Sequence, residues 1–534
     1  MSLGRAGIAP APQALARLLD GIAAAPAGLE VTDVTLDSRR AQPGGLFLAC
    51  AGRRTHGLVG AGAAVAAGAR AVLWEPVEGV EPPATLAAQA FVAPVDGLSR
   101  HAGTIAARFF GAPSRAMAVA GITGTNGKTT TAWLLAQALR EAGRPCGYVG
   151  TLGTGLAPGP VAAGEFTTAD AVSVQRQLAT LRAAGAHCVA MEVSSHALDQ
   201  HRVGGVEFRV AAFTNLTRDH LDYHGTMQAY GAAKSRLFGW PTLAARVFNV
   251  DDPFGIALAE AAVRTGGAAT LVVARQAQGL AALRRLQALG ALALRAGAVR
   301  SSGRGLEFEV AGSFGSHEVV VPLVGDFNVD NALLVLGCLL SMDVPADAAV
   351  AALARGQAPS GRMEAFGGGT RPLAVVDYAH TPDALAKALR AARAHCAGRL
   401  HVVFGCGGDR DAGKRPQMAA IAAQLADAIV VTDDNPRTES PEAIVADILR
   451  GLPAGVAATV QHDRASAIRG TLQAAHTGDV VLVAGKGHED YQIVGEERRP
   501  FSDQDVVRAA LGIDTGVGAG AGAAAAAVSA GARP

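Results

Sequence analysis

Charge of one sign, aromatic rings and paired cysteines are all scarce in this chain. Lys plus Arg (47) almost cancels Asp plus Glu (46), leaving a formal net charge of +1. Such a balance gives no surface suited to nucleic acid or to an anionic membrane, so positive charge that receives an anionic ligand must be local. Aromatic residues are only 4% of the 534 positions. The six cysteines (Cys50, Cys146, Cys188, Cys338, Cys396, Cys406) form no CxxC pair and sit mostly in apolar runs. That pattern reads as buried free thiols in a reducing compartment and excludes a disulfide scaffold. With neither HExxH nor paired cysteines, zinc chemistry is excluded as well. No uncharged apolar run is long enough for a spanning helix, and MSLGRAGIAPAPQALARLL has no hydrophobic core of signal-peptide type. The expectation is a soluble, cytoplasmic monomer with no membrane insertion.

What is abundant is alanine and glycine, and half of all residues are hydrophobic. At about 150 residues per domain, the length suggests three domains, each able to bury a core. Short apolar runs alternate with helical patterns, which implies βαβ units and parallel sheets. The expected class is α/β in three domains: a smaller N-terminal α/β domain, a central P-loop parallel-sheet ATPase domain and a C-terminal Rossmann-like domain. Turn-rich breaks at Gly111-Ala112-Pro113-Ser114 and Gly356–Gly361 place the domains at 1–112, 113–358 and 359–512. The Ala/Gly/Val tail, 513–534, lacks the large side chains that offset ordering entropy and is expected to be disordered. The Ala/Leu/Arg-rich stretch 274–304 carries no motif. Near Leu373 begins a set of strand-like runs, each ending in polar or glycine-rich residues: LAVVDYAHTPDAL, LHVVFGCGGDRD, AIVVTDDNPR and VVLVAGKGHED. Ligands bind at the carboxyl ends of strands in open α/β sheets, so these four ends suggest one rim.

The sharpest motif is Gly124-Thr125-Asn126-Gly127-Lys128-Thr129-Thr130, between a strand around Val119–Ile122 and a helix from Thr129 to Ala142 ended by Gly143. Glycines let backbone N–H groups approach phosphates, and the helix N-terminus favours an anion. Lys128 can reach the terminal phosphates and the Thr129 hydroxyl can ligate Mg²⁺. Ile122 stands where the general GxxxxGK[ST] pattern has its first glycine. The loop implies ATP without saying what the ATP does.

Together with EVSSHAL (Glu192–Leu198), TNLTRDHLDYHG (Thr214–Gly225), YGAAKSRLF (Tyr230–Phe238), FNVDNAL, GRME, DYAHTPD, DNPR and GKGHED, in that order, GTNGKTT resembles the Mur ligase family. The resemblance runs from Gly121 to Asp490 and reaches weakly into the first domain at LDSRR. It implies an ATP-dependent amide-bond ligase working through an acyl phosphate. Domain one would hold a UDP moiety, domain two ATP, and domain three the incoming amino acid. Within the family, the pattern looks most like members that extend UDP-N-acetylmuramoyl-L-alanyl-D-glutamate with a third residue during peptidoglycan synthesis.

By resemblance, Glu192 and Thr129 hold Mg²⁺, His220 belongs to a second metal position, and Lys234 carries a carbamate that turns a cation into a metal-binding anion. A plainer reading makes Lys234 a solvated charge and His220 a structural histidine. His224 has no assigned role. Asn331, Arg362 and Asp377 match nucleotide contacts, although Asn331 and Asp377 could simply cap helices. Thr167, Thr168, Ser194, Gln200 and Arg202 match contacts to the UDP-muropeptide, and Ser38 matches one more faintly.

Asp434-Asn435-Pro436-Arg437 follows the strand AIVVT. Family members that add meso-diaminopimelate carry DNPR, and diaminopimelate exceeds lysine by one distal carboxylate. An arginine fork can pair that carboxylate, whereas lysine would leave it unpaired. Arg410, Gly485 and Glu489 match the remaining pocket positions. The implied partners are small molecules only: ATP, a UDP-muropeptide and meso-diaminopimelate, with an L-lysine-adding ligase as the alternative. Closure around substrates spread over three domains is a further expectation.

Overall fold

The computed structural model describes residues 11–52, 55–157, 159, 161–162, 166–302 and 305–513. The tail expected to be disordered lies, apart from Ile513, outside the described residues. The chain divides into two compact units. The first comprises Met1–Arg300, Arg304–Pro322 and Asp326–Pro359; the second comprises Ser301–Gly303, Leu323–Gly325 and Ser360–Pro534.

Two sheets organise the first unit. A small one is parallel throughout, ordered Val34–Thr35, Leu46–Ala49, Ala71–Trp74, Phe91–Pro94. The large one has 11 strands. Its parallel part runs Leu292–Ala296, Ala269–Ala274, Ala245–Asn249, Phe208–Phe213, Ala118–Thr123, Cys188–Glu192, Cys146–Gly150. These strands read as continuous apolar runs because both faces are covered, as parallel sheets require. Val119, Val189, Phe208, Ala211 and Phe213 are fully buried in the resulting core. At about 1.5–3 kcal/mol for a Val- or Phe-sized side chain, that burial is the main term opposing chain entropy.

The strand order matters more than the strand count. After Ala118–Thr123 the chain crosses to Cys146–Gly150, returns through Cys188–Glu192, and then continues on the other side with Phe208–Phe213. Ala118–Thr123 therefore sits where the order reverses, the place at which open α/β sheets leave a crevice. Register carries the detail: Glu192 pairs with Ile122, and Phe213 with Thr123. The motif-free stretch is ordinary scaffold, a helix at Ala277–Ala288 and a strand at Leu292–Ala296 that pairs parallel with Ala269–Ala274 and antiparallel with Gly305–Gly312.

The second unit holds a sheet of six strands ordered Glu364–Gly367, Leu373–Asp377, Val480–Ala484, Leu400–Phe404, Ala428–Val431, Thr459–Val460. All pairs but the first are parallel. The helix Pro382–Arg393 shows how local sequence builds the covering layer. The Thr381 hydroxyl accepts from the Ala384 N–H, Pro382 occupies the first turn, and Arg390 and Arg393 sit in the last. Leu385, Ala388, Leu389 and Ala392 recur at helical spacing and are buried against the sheet. Removing the Thr381 cap would cost about 1 kcal/mol. The four apolar runs read as strands are all strands, and their carboxyl ends carry Asp377, Gly405, Thr432 and Gly485.

Candidate functional site

The phosphate loop occupies the reversal point. Strand Ala118–Thr123 leads into Gly124–Gly127, and the helix spans Lys128–Glu141, starting one residue before the sequence suggests. Gly124 has φ 149° and a Cβ there would lie 1.8 Å from Thr214 Oγ1; Gly127 has φ 84° and a Cβ would lie 2.4 Å from Asn331 Oδ1. Both glycines are thus demanded by backbone shape and by space. Neighbouring chain pins the loop. Asn126 N–H donates to Asn215 Oδ1 (2.9 Å), Thr125 N–H to Asn215 O (2.8 Å), and Thr214 Oγ1 to Asn126 O (2.6 Å). Thr214 and Asn215 head the TNLTRDH motif, yet their partners lie about ninety residues back and no local pattern announces the contact. Thr130 is half-buried in the first helical turn.

Glu192 ends the adjacent strand with no exposed surface. Its carboxylate accepts from Thr129 Oγ1 (2.9 Å), Thr151 N–H (2.8 Å), Thr151 Oγ1 (3.2 Å) and Tyr148 OH (2.5 Å). These donors satisfy an anion that would otherwise be costly to bury. A carboxylate and a hydroxyl side by side at a phosphate loop are hard oxygen donors of the kind Mg²⁺ takes alongside phosphate oxygens, so the residues fit that ion. Among the described residues, no cluster of three or more His, Cys, Asp or Glu forms a ready-made metal cage.

Two lysines converge on one carbonyl. Lys128 Nζ donates to Gly124 O (3.0 Å) and Thr125 O (2.8 Å), and Lys234 Nζ donates to Gly124 O (2.7 Å). Lys234 is 1% exposed and lies 4.4 Å from the Tyr230 ring centroid. Burial, and then the charge of Lys128, pull its amine down to about 6. The plain reading of Lys234 as a solvated surface charge is therefore excluded.

His220 follows a different pattern. It is half-exposed, has φ 52°, and lies 3.5 Å from Asp219 Oδ2. Its ring is 4.9 Å from His196 and 6.1 Å from Tyr230. His224 contacts Ser195 Oγ at 3.0 Å. Sequence reasoning passed over His196, which packs among His220, Tyr223 and His224. Burial, followed by those two histidines, pulls His196 down to about 4, so it is neutral near pH 7.

A cavity of about 850 Å³ in the first unit is lined by Leu36, Cys50, Ser99, Gln200, Arg202 and Tyr223 among others. Arg202 donates to Gln200 Oε1 through Nε (2.9 Å) and to Thr168 O through Nη1 (3.0 Å). Thr168 Oγ1 donates to Glu192 O and accepts from Ser194 N–H, while Thr167 Oγ1 meets Thr151 Oγ1 at 3.0 Å. Thr168, Ser194, Gln200 and Arg202 are thus joined by hydrogen bonds to one another and to Glu192, with Thr167 linked through Thr151; of the five, Gln200 and Arg202 line the cavity. Ser38 is not among the described lining residues; it opens the short helix Ser38–Arg40, near Leu36.

Neither Asn331 nor Asp377 is a helix cap. Asn331 Oδ1 accepts from Thr131 Oγ1 behind the phosphate loop. Asp377 accepts from the N–H groups of Met363 (2.8 Å) and Ala379 (2.9 Å), with burial pushing its carboxyl upward. The Arg362 guanidinium stands 4.9 Å from the Tyr378 ring centroid.

In the second unit Asp434, Asn435 and Pro436 are buried, and Arg437 is half-buried in the left-handed region, φ 53°. Arg437 Nη1 donates to Gly408 O (2.7 Å); a Cβ on Gly407 would come within 2.9 Å of that nitrogen. The backbone of Arg437 pairs with the hairpin beyond GKGHED, its N–H donating to Ile493 O (3.1 Å). Asn435 Nδ2 donates to Glu489 Oε2 (2.9 Å), and Gly485 N–H donates to Asp377 O (3.1 Å). Arg410 is exposed on the loop after Leu400–Phe404. Lys486, unassigned from sequence, is buried among Asp434, Asn435 and Glu489.

Three Mur ligase family models match the chain: "Mur ligase family, catalytic domain" over residues 30–110, "Mur ligase middle domain" over 122–339 and "Mur ligase, glutamate ligase domain" over 361–487. The chain is 49% identical over 487 residues to the UDP-N-acetylmuramoyl-L-alanyl-D-glutamate–2,6-diaminopimelate ligase of Ectopseudomonas mendocina, covering 90% of this chain and 95% of that protein. The protein of the same name from Pseudomonas aeruginosa is 48% identical over 484 residues, with the same coverage. A solved structure of that name superposes with a TM-score of 0.67 at 34% identity, covering 90% of this chain and 95% of that one. With likeness of this extent running through both compact units, the chain belongs to the Mur ligase family.

Proposed function

We propose that the chain is the ATP-dependent ligase that adds meso-diaminopimelate to the D-glutamate of UDP-N-acetylmuramoyl-L-alanyl-D-glutamate in peptidoglycan precursor synthesis. One observation carries the reading: relatives named for 2,6-diaminopimelate addition share about half of their residues with this chain over nine tenths of its length. The site geometry supplies a mechanism to go with it.

The D-glutamyl γ-carboxylate attacks the γ-phosphorus of ATP, giving ADP and an acyl phosphate. The amine at the L-centre of diaminopimelate then attacks the acyl carbon, phosphate leaves, and an amide remains. Gly124, Thr125, Asn126, Gly127 and Thr130 shape the loop and helix N-terminus that hold the phosphates, and Lys128 turns from its loop carbonyls to neutralise charge on the transferring phosphoryl group. Asn331, Arg362 and Asp377 hold the nucleotide. Thr167, Thr168, Ser194, Gln200 and Arg202 hold the muropeptide, with Ser38 towards the uridine side. Arg410, Asp434, Asn435, Pro436, Arg437, Gly485 and Glu489 make the amino-acid pocket, where Arg437 meets the distal carboxylate that lysine lacks.

Thr129 and Glu192 hold Mg²⁺, with His220 and a carbamylated Lys234 at a second position; the ion supplies neutralising charge for the phosphates. A carbamate forms only on a neutral amine, and an amine pulled down to about 6 is neutral near pH 7.5. The three functional segments are 1–112, 113–358 and 359–512, in a cytoplasmic monomer. No helix among the described residues is long and apolar enough to cross a membrane.

The test is phosphate release with ATP, Mg²⁺ and the UDP-muropeptide, offering meso-diaminopimelate or L-lysine separately. Turnover with diaminopimelate alone supports the whole reading. Turnover with lysine would keep the ligase and overturn the Arg437 argument, and none with either overturns the substrate assignment.

A further inference from the structure

Lys486 is the one lysine in the second unit that has no exposed surface, among the described residues. Its Nζ donates to Asn435 Oδ1 (3.0 Å) and Glu489 Oε2 (3.0 Å), and lies 3.6 Å from Asp434 Oδ1. The Tyr491 ring centroid is 5.4 Å away. An ammonium with no water must find its partners in protein, and here all three belong to the pocket read as receiving the amino acid. The contacts also interlock. Asn435 Oδ1 accepts from both Lys486 and the Ile493 N–H, which turns Asn435 Nδ2 towards Glu489 Oε2. One ammonium therefore sets the orientation of the amide and the rotamer of the carboxylate together.

The charge count points the same way. Arg464 and Asp503, both with no exposed surface, pair through two bonds, Nε to Oδ1 (2.7 Å) and Nη2 to Oδ2 (2.8 Å), so they balance each other. Lys486 is left facing two carboxylates, Asp434 and Glu489. Within the cluster of Lys486, Asp434 and Glu489, one negative charge is left over. Diaminopimelate whose attacking amine is neutral carries one ammonium. The surplus negative charge of this cluster matches that ammonium, leaving Arg410 and Arg437 of the same pocket for the substrate carboxylates; with no internal lysine the cluster would hold two carboxylates in mutual repulsion.

We propose that Lys486 is a positioning residue that preorganises Asn435 and Glu489 and leaves the amine pocket one negative charge for one substrate ammonium. The inference rests on the ligase reading given above. It assigns Lys486 no contact with the reacting atoms.

The experiment is steady-state kinetics of full-length K486Q and K486R beside the unaltered chain, with KM measured separately for meso-diaminopimelate, ATP and UDP-muropeptide. Losing a hydrogen bond between charged groups predicts that K486Q raises KM for diaminopimelate by about tenfold to a hundredfold. KM for ATP and for the muropeptide stays within twofold. K486R keeps the charge but not the point geometry, so its KM for diaminopimelate falls between the two. A merely structural lysine would lower the active fraction, and hence kcat, with no substrate-selective change. Unaltered KM for diaminopimelate in a cooperatively melting K486Q overturns the proposal, as does an equal rise for all three substrates. Should K486Q not melt cooperatively, K486R decides on the same criterion. If the unaltered chain itself fails to use diaminopimelate, the ligase reading falls and takes this inference with it.

Discussion

At the scale of the residue, two side chains have consequences that can be measured directly. Arg437 is held by its backbone to a hairpin and by Nη1 to Gly408 O, so its guanidinium is placed before substrate arrives. Truncation to alanine removes a preorganised carboxylate partner. We expect R437A to lose about a hundredfold in kcat/KM for diaminopimelate, with little change for L-lysine, which narrows the preference between them. Competition assays with both amino acids would read it, and undiminished preference in R437A would remove Arg437 from the specificity argument. Lys234 gives a pH prediction. Its amine is drawn from an ordinary 10.5 to about 6, chiefly by burial. Between those values the unfolded chain binds a proton that the folded chain does not. Stability through this group therefore rises with pH across the window, and the full burden of a buried cation is felt below about 6. At pH 5 about a tenth of the amine is neutral and available for carbamylation. Phosphate release should fall correspondingly on acidification through 6 and should respond to bicarbonate at pH 7.5; indifference to bicarbonate would argue against the carbamate.

At the scale of the element, local chemistry and distant pairing part company. The phosphate loop was legible because Gly124, Gly127 and Lys128 lie within five residues, between a strand and a helix. The rim of the second unit was legible because each apolar run ends in its own polar residues. What stayed hidden depends on contacts between segments. Asn215 reaches Asn126 from 89 residues away, and Arg464 reaches Asp503 across 39. Lys486 is one of three charged residues in GKGHED, and nothing in its neighbours says that it alone is sealed from water. Arg464 also donates to Ala484 O (3.0 Å), next to Gly485, and so ties Asp503–Leu511 to the end of the strand Val480–Ala484. Removing one partner leaves an unpaired charge with no solvent. We expect D503A to cost about 3–5 kcal/mol of stability. Urea denaturation followed in the second unit would register it, and a loss under about 1 kcal/mol would mean that water reaches Arg464 after all.

At the scale of the whole molecule, the division of labour follows the division of cores. The buried cluster around Phe208 and Phe213 draws on the first unit alone, and that around Phe404 and Leu482 on the second. The phosphate loop, Glu192 and Lys234 belong to the first unit; Asp434, Arg437 and Lys486 belong to the second. A ligand that binds only a folded site stabilises the fold that makes the site, by about 2.7 kcal/mol at a hundredfold excess over Kd. Nucleotide phosphates held by the first unit should therefore act on the first core more than on the second. In scanning calorimetry with Mg²⁺ and ADP, we expect the transition carrying the first unit to move upward further than the one weakened by D503A, which gains only through Arg362 and Asp377. Equal movement of both would show that the two cores unfold as one cooperative block, and that the separate clusters do not mark separate stabilities.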